Sequence, residues 1–188
     1  MLRRSFIAMT IAAIALPGIA TAQPRSAPDM PSADRIMRQL EQQPRMRLSP
    51  DRRVTVQEFK RRPELRRAAP SIEIQSINFA TASADISRSQ YRNVEQIASA
   101  LERVLRRDRK ARFLIEGHTD AVGSDSSNRV LSERRADSIK RILVSEFGIS
   151  PRALETVGYG EEYLLVNTQR ENWQNRRVTI RRIDQFLR

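Results

Sequence analysis

The 188-residue sequence predicts an α/β (α+β) fold over residues 71–188, a two-layer sandwich of a small sheet and helices. Three observations predict it. Segments of strand character and segments of helical periodicity follow one another as strand, helix, strand, helix, strand, strand. The longest periodic segment, Asn128 to Phe147, places Leu131, Ala136, Ile139, Ile142, Leu143 and Phe147 within one apolar arc roughly 160° wide. The last segment, Arg177 to Ile183, alternates cleanly, with Val178 and Ile180 inward and Arg177, Thr179 and Arg181 outward.

Taken in order, the elements justify themselves by local chemistry. Residues 1–22 read as a secretory signal: Arg3 and Arg4, an apolar run from Phe6 to Ile19, then Ala20-Thr21-Ala22 as a small-residue cleavage site. An uncleaved anchor is the competing reading, and the twin arginines leave general secretion and twin-arginine export both open. Residues 23–70 are rich in Pro, Arg, Ser and Gln and read as a basic, largely disordered linker. Short helices can form within it. Ser32 can cap a helix to Gln43 carrying Ile36, Met37 and Leu40 on one face, and Thr55 to Glu58 has the spacing of a capping box before Pro63.

Ile72 to Phe79 is the first strand, with a change of phase near Ser76 that indicates a bulge. Ser87-Arg88-Ser89-Gln90 opens the first long helix with capping-box spacing, and Tyr91, Val94, Ile97, Ala98, Leu101 and Leu105 form its apolar face. Ala111 to Glu116 is the second strand, and the long helix follows from about Asn128. Gly148 stops that helix, Pro151 starts a short turn, and Ala153 to Val157 is the third strand. No internal repeat is present.

Composition excludes several classes of function. With no cysteine, disulfides, thiolate catalysis and an acyl-bearing cysteine after the signal are all absent from this sequence. His118 is the only histidine, so neither a metal site nor a catalytic triad is expected, and no cofactor. After the signal no stretch reaches the length of a transmembrane span, so the mature form is expected in the periplasm. Residues 23–70 hold 12 basic and six acidic side chains, and residues 71–188 hold 20 and 16. The basic excess of the first segment suits polyanions of an envelope, or reflects an arginine-rich composition with no partner behind it. A nucleic-acid role is not expected: aromatics are 5% of residues and no groove-reading helix or stacking platform is evident.

The segment from Ile115 to Ile139 is anomalous for a core. Arg135 lies inside the apolar arc of the long helix together with Asn128 and Ser132, whereas Arg134, Asp137 and Arg141 point away. A buried unpaired charge costs several kcal/mol or more, so Arg135 requires a partner. Asp120 is the nearest candidate. Thr119, Asp120 and Gly123, followed by Asn128, Leu131, Ser132, Arg135 and Ala136, match the pattern T-D-x-x-G then N-x-x-L-S-x-x-R-A. Ile77-Asn78-Phe79 with Ser83-Ala84-Asp85-Ile86, Gly158-Tyr159-Gly160-Glu161 and Asn175-Arg176-Arg177-Val178 flank it. On these residues the chain resembles the OmpA-like peptidoglycan-binding domain family over about residues 71 to 184. Where that family has a proline soon after G-x-G-E, this chain has Tyr163-Leu164-Leu165.

The resemblance implies the order β-α-β-α-β-(α)-β and a non-catalytic module that binds peptidoglycan at the diaminopimelate group of the stem peptide. That group carries an ammonium and a carboxylate on one carbon, and the resemblance assigns the first to Asp120 and the second to Arg135. A guanidinium suits the carboxylate because its planar fork binds bidentately and keeps its charge. The loop Ala121 to Ser127 brings backbone N–H groups at a helix N-terminus. Asn128 can bond the loop or the ligand, Thr119 and Leu131 read as structural, Gly123 as a turn of positive φ, and Arg176 either faces the site or anchors the last strand. A salt bridge between Asp120 and Arg135 that merely fastens loop to helix is the alternative role for the pair. The alternative function is a periplasmic peptidoglycan hydrolase using Asp120 with Glu116 or Asp125, for which no second carboxylate clearly faces Asp120. Envelope systems carrying such a domain imply outer-membrane or other envelope proteins as partners of residues 23–70, with the chain at the cell wall.

Overall fold

The computed structural model describes residues 29–77, 79 and 83–188. The secretory signal and Asn78 lie outside the described residues.

Four strands form one mixed sheet: β1 (Ser71–Ile74), β2 (Phe113–His118), β3 (Leu154–Gly158) and β4 (Arg177–Arg182), in the order β1-β4-β2-β3. Strand β4 runs antiparallel to both neighbours, with Ile180 opposite Ile72 on one side and Ile115 on the other, while β2 and β3 are parallel. Two long helices, α4 (Tyr91–Arg107) and α5 (Asp125–Ser145), lie over one face. There Val94, Ile97, Leu101, Ile139 and Leu143 pack on Phe113, Ile115, Val178 and Ile180, all buried. The alternation of β2 and β4 is what allows this, since every second residue reaches the same face.

Residues 29–70 depart from the expected linker. Beyond residue 32 they fold as α1 (Ala33–Leu40), α2 (Val56–Lys60) and α3 (Pro63–Ala68). Ser32 caps α1 as anticipated, and Ile36 and Leu40 are fully buried in the main core beside α4. The capping box of α2 forms on both sides, with Glu58 N–H donating to Thr55 Oγ1 at 3.2 Å and Thr55 N–H to Glu58 Oε2 at 2.7 Å. Phe59, Leu65 and Ala68 then close a second apolar cluster with Leu114, Ile183 and Phe186 on the opposite face of the sheet. A composition too poor in apolar residues to make its own core thus borrows one.

That cover corrects the reading of β4. Arg177, Thr179 and Arg181, expected in water, are buried beneath the N-terminal helices and their neighbours. Other departures are local. Strand β1 ends at Ile74, so the phase change near Ser76 marks the end of pairing, and Ser76 Oγ turns to Met30 Sδ at 3.0 Å. Strands β2 and β3 begin and end later than expected, and α5 begins three residues earlier, at Asp125 under a Ser124 cap. Ser87 makes no capping bond; its hydroxyl pairs with Ser89 Oγ at 2.7 Å and a 3-10 turn leads into α4. Gly148 adopts φ 67°, and the N–H groups of Gly148 and Ile149 return to the carbonyls of Val144 and Leu143. Between β3 and β4 the chain forms turns without an α-helix. The loop lacking the family's proline is held instead by Asn175, whose Oδ1 accepts from the N–H groups of Leu165 and Val166 at 2.8 and 2.9 Å.

Candidate functional site

Strand β2 and helix α5 meet closely because two glycines let them. A Cβ on Gly117 would lie 2.0 Å from the Ser132 carbonyl oxygen, and one on Gly158 would lie 2.3 Å from Glu133 N. The helix therefore rests directly on the C-terminal ends of the parallel strands. Ser132, inside the apolar arc, is explained by the same contact: its hydroxyl donates to Arg129 O and accepts from Gly160 N–H, both at 2.8 Å. Thr119 N–H donates to Gly160 O at 2.9 Å, so the chain leaving β2 is fixed before it reaches Asp120. The Thr119 hydroxyl is buried and has no hydrogen-bond partner among the described residues.

Asn128 holds the loop rather than facing out. Its Nδ2 lies 3.3 Å from Asp120 O, 3.2 Å from Val122 O and 2.6 Å from Glu161 Oε2. Gly123, at φ 105°, makes the turn between them in a conformation that a side chain would strain. Of the two partners open to Asn128, the loop is the one it bonds here while it still lines the groove, and Glu161, the last residue of G-x-G-E, shares that contact, which its motif alone did not reveal.

Asp120 and Arg135 line one groove of about 950 Å³ with Thr119, Gly123, Asn128 and Arg176. They do not pair with each other. Asp120 Oδ2 accepts from Arg176 Nη1 at 2.8 Å, and the same nitrogen lies 2.6 Å from Glu171 Oε1. Arg135 donates from Nε to Ser83 O at 3.0 Å and lies over the Phe79 ring, 4.8 Å from its centre, a cation–π contact. Burial lowers the pKa of Arg135, the Arg176 guanidinium lowers it further, and Asp120 opposes both. The fastening salt bridge between Asp120 and Arg135 is thus not formed, and Arg176 stands at the site. Glu171 and Phe79 were not legible as site residues, Glu171 because nothing in its loop marks it. A second groove, of about 1100 Å³, continues past Leu131 and Arg134 toward Lys140 and Arg141.

Glu116 belongs elsewhere. It is fully buried on the opposite face, where Arg66 Nε and Nη2 donate at 3.1 and 2.8 Å and Arg181 Nε and Nη2 at 2.7 and 3.2 Å. Burial alone would raise its pKa, but the adjoining cations, Arg181 foremost, hold it well below the usual carboxylate range. The Arg66 guanidinium lies over the faces of Tyr159 and Tyr163, 3.9 and 4.0 Å from the ring centres, in the corner made by two rings that meet edge to face. A carboxylate clamped this way is not free to act with Asp120 across a sugar, and Asp125, exposed at the start of α5, does not line the groove that holds Asp120. His118 lies buried beside Glu116 at 3.7 Å, too far for a hydrogen bond, and desolvation lowers its pKa to about 4.

The strand, the T-D loop and the arginine-bearing helix define a class, and the comparisons agree with it: residues 78–178 match the OmpA family, and the chain belongs to that family. Over 73 residues it is 44% identical to a peptidoglycan-associated lipoprotein of Pseudomonas putida, covering 38% of this chain and 43% of that one. Over 47 residues it is 51% identical to outer membrane porin F of Pseudomonas aeruginosa, covering 25% and 13%. The chain therefore spans less than half the length of these curated relatives. In fold it is similar to the cell wall anchor of the T6SS from Pseudomonas aeruginosa, at a TM-score of 0.50 and 23% identity over 70% of this chain and 97% of that one. It is likewise similar to the periplasmic domain of Helicobacter pylori MotB, at 0.51 and 20% over 60% and 72%. Among the described residues no helix is long and apolar enough to cross a membrane.

Proposed function

We propose that this chain binds peptidoglycan without cleaving it, taking the diaminopimelate group of a stem peptide between Asp120 and Arg135, and so anchors an envelope component to the cell wall from the periplasm. The observation that carries this reading is that one groove presents a carboxylate and a guanidinium that leave each other unpaired. A salt bridge between them would have satisfied both and made the groove inert. Instead each can meet the opposite end of a ligand bearing ammonium and carboxylate on one carbon. The Ser124-capped N-terminus of α5, with Ser126 and Ser127 on the groove wall, adds a positive dipole end near the ligand's carboxylate. The name of the Pseudomonas putida relative points to the same polymer.

Sedimentation with purified sacculi tests this. Asp120→Asn and Arg135→Ala are each expected to lose about 2–5 kcal/mol of binding, the usual effect of truncating one side of a sheltered charge pair, while the melting curve stays cooperative. The supernatant should contain no released muropeptides. A folded Arg135→Ala protein that binds sacculi as tightly as the wild type would rule out the assignment, and muropeptide release would turn the reading toward hydrolysis.

A further inference from the structure

The oxygen of Asp120 that meets the groove is already in contact with a cation of the protein itself. Arg176 Nη1 lies 2.8 Å from Asp120 Oδ2 and 2.6 Å from Glu171 Oε1, so one nitrogen is shared by two carboxylates. Their surroundings differ sharply: the Asp120 side chain is 10% exposed, that of Glu171 74%, and that of Arg176 39%. Arg135, across the groove, has a backbone carbonyl and a ring face for partners and no carboxylate among the described residues. Two cations and two anions therefore stand together with Arg135 left out of the pairing.

We propose that Arg176 is an internal counter-ion that holds the ammonium position of Asp120 until a ligand carrying both an ammonium and a carboxylate displaces it onto Glu171. This rests on the reading of Asp120 and Arg135 given above. After the exchange every charge is paired: Arg176 with Glu171, the ligand's ammonium with Asp120, and its carboxylate with Arg135. The exchange needs little movement, because the shared nitrogen is already within bonding distance of Glu171. It also keeps Asp120, nearly buried and otherwise reached among the described residues only by Val122 N–H at 3.4 Å, from standing uncompensated.

Selectivity follows from the same arithmetic of charges. A ligand offering only an ammonium replaces one cation by another at Asp120, which is close to neutral. The gain comes from the new pair at Arg135, so only a ligand that also supplies a carboxylate binds well. Arg176 thus sets the specificity of the groove by competing with the ammonium, not by adding a contact.

Titration calorimetry on the full chain tests this with two probes, a diaminopimelate muropeptide and its lysine counterpart, which has the ammonium without the carboxylate. Arg176→Gln is expected to bind both probes about two- to fivefold more tightly, the scale of a partly exposed ion pair, and the lysine form by the larger factor, narrowing the discrimination. Glu171→Gln, an exposed change that leaves the fold alone, should weaken the diaminopimelate probe about two- to threefold in the wild-type background and leave it unchanged beside Arg176→Gln. Weaker or unaltered binding by Arg176→Gln, or an equal effect of Glu171→Gln in both backgrounds, overturns the exchange. Asp120→Asn and Arg135→Ala titrated alongside keep the two ideas apart: if they bind as the wild type does, the reading of the groove itself is wrong, whatever Arg176 does.

Discussion

Arg66 and His118 show how far a residue's role depends on what covers it. Arg66 sits in a run with Arg61, Arg62 and Arg67 and looks like one more solvated charge. It is instead buried, bidentate to Glu116 and set against the faces of two tyrosines, while its three neighbours are exposed. His118 lies at the edge of the same cluster and carries the pH dependence. Its folded pKa is lowered from 6.5 to about 4, so an unfolded chain takes up the proton first. Stability from this group is therefore complete above about pH 6.5 and is lost as pH falls toward 4, a change of about 3 kcal/mol. Glu116, also depressed, gives stability that is present above the ordinary carboxylate pKa and fails only at more acid pH. Urea unfolding of wild type and His118→Gln at pH 7, 5.5 and 4 checks the assignment. The variant should lose markedly less stability over that interval, and parallel losses would move the acid sensitivity to another group.

At the scale of elements, the seating of α5 on β2 and β3 decides where Asp120 and Arg135 stand relative to one another. Gly117→Ala or Gly158→Ala places a methyl group against the helix backbone, at Ser132 O and Glu133 N respectively, where no side chain can swing aside. Each is expected to cost about 3 kcal/mol or more, the upper range for overpacking, and to weaken sacculus binding by displacing Asn128 and its loop. Gly148→Ala is the contrast, with open space around its Cβ and only a φ of 67° to strain. It should cost about 1 kcal/mol and leave binding intact. Thermal melts and sacculus sedimentation on the three variants check this, and equal costs would mean the helix is free to shift. Gly158 opens the G-x-G-E motif and Gly117 lies two residues before T-D, yet nothing in a one-dimensional pattern says that a helix backbone waits above them.

Across the whole molecule the formal charge is +12, and its distribution is altered by folding. Of the arginines between residues 52 and 67, Arg66 is withdrawn into the protein, leaving Arg52, Arg53, Arg61, Arg62 and Arg67 exposed. Attraction of exposed charges to an anionic polymer fades as the screening length falls from about 10 Å at 0.1 M salt to about 3 Å at 1 M. Replacing those five by Gln should flatten the salt dependence of sacculus binding with little change in melting temperature. Arg66→Gln should instead destabilise the fold by about 3–5 kcal/mol, since it strips a partner from a buried carboxylate. Binding across a salt series together with urea unfolding checks both. Identical salt slopes would show that the exposed arginines serve another envelope partner or none. Because α2 and α3 seal one face of the sheet, a chain beginning at residue 71 would expose Leu114, Ile183 and Phe186 and is not a neutral control.

From residue 71 on, periodicity was enough to read the order of the strands and the two long helices, the polar intrusions of Asn128, Ser132 and Arg135 on the core side of the second, and the T-D loop before it. Those features are written in periodicity and short spacing, which one stretch of chain expresses alone. Only long-range packing makes Asp120 pair with Arg176 and not with Arg135, sets Glu116 between Arg66 and Arg181, and brings residues 33–68 into the folded body. Each of those joins residues about 50 or more positions apart. An arginine's charge fixes that it needs an anion, but distance and burial choose among several, and both arise only when the second face of the sheet is closed.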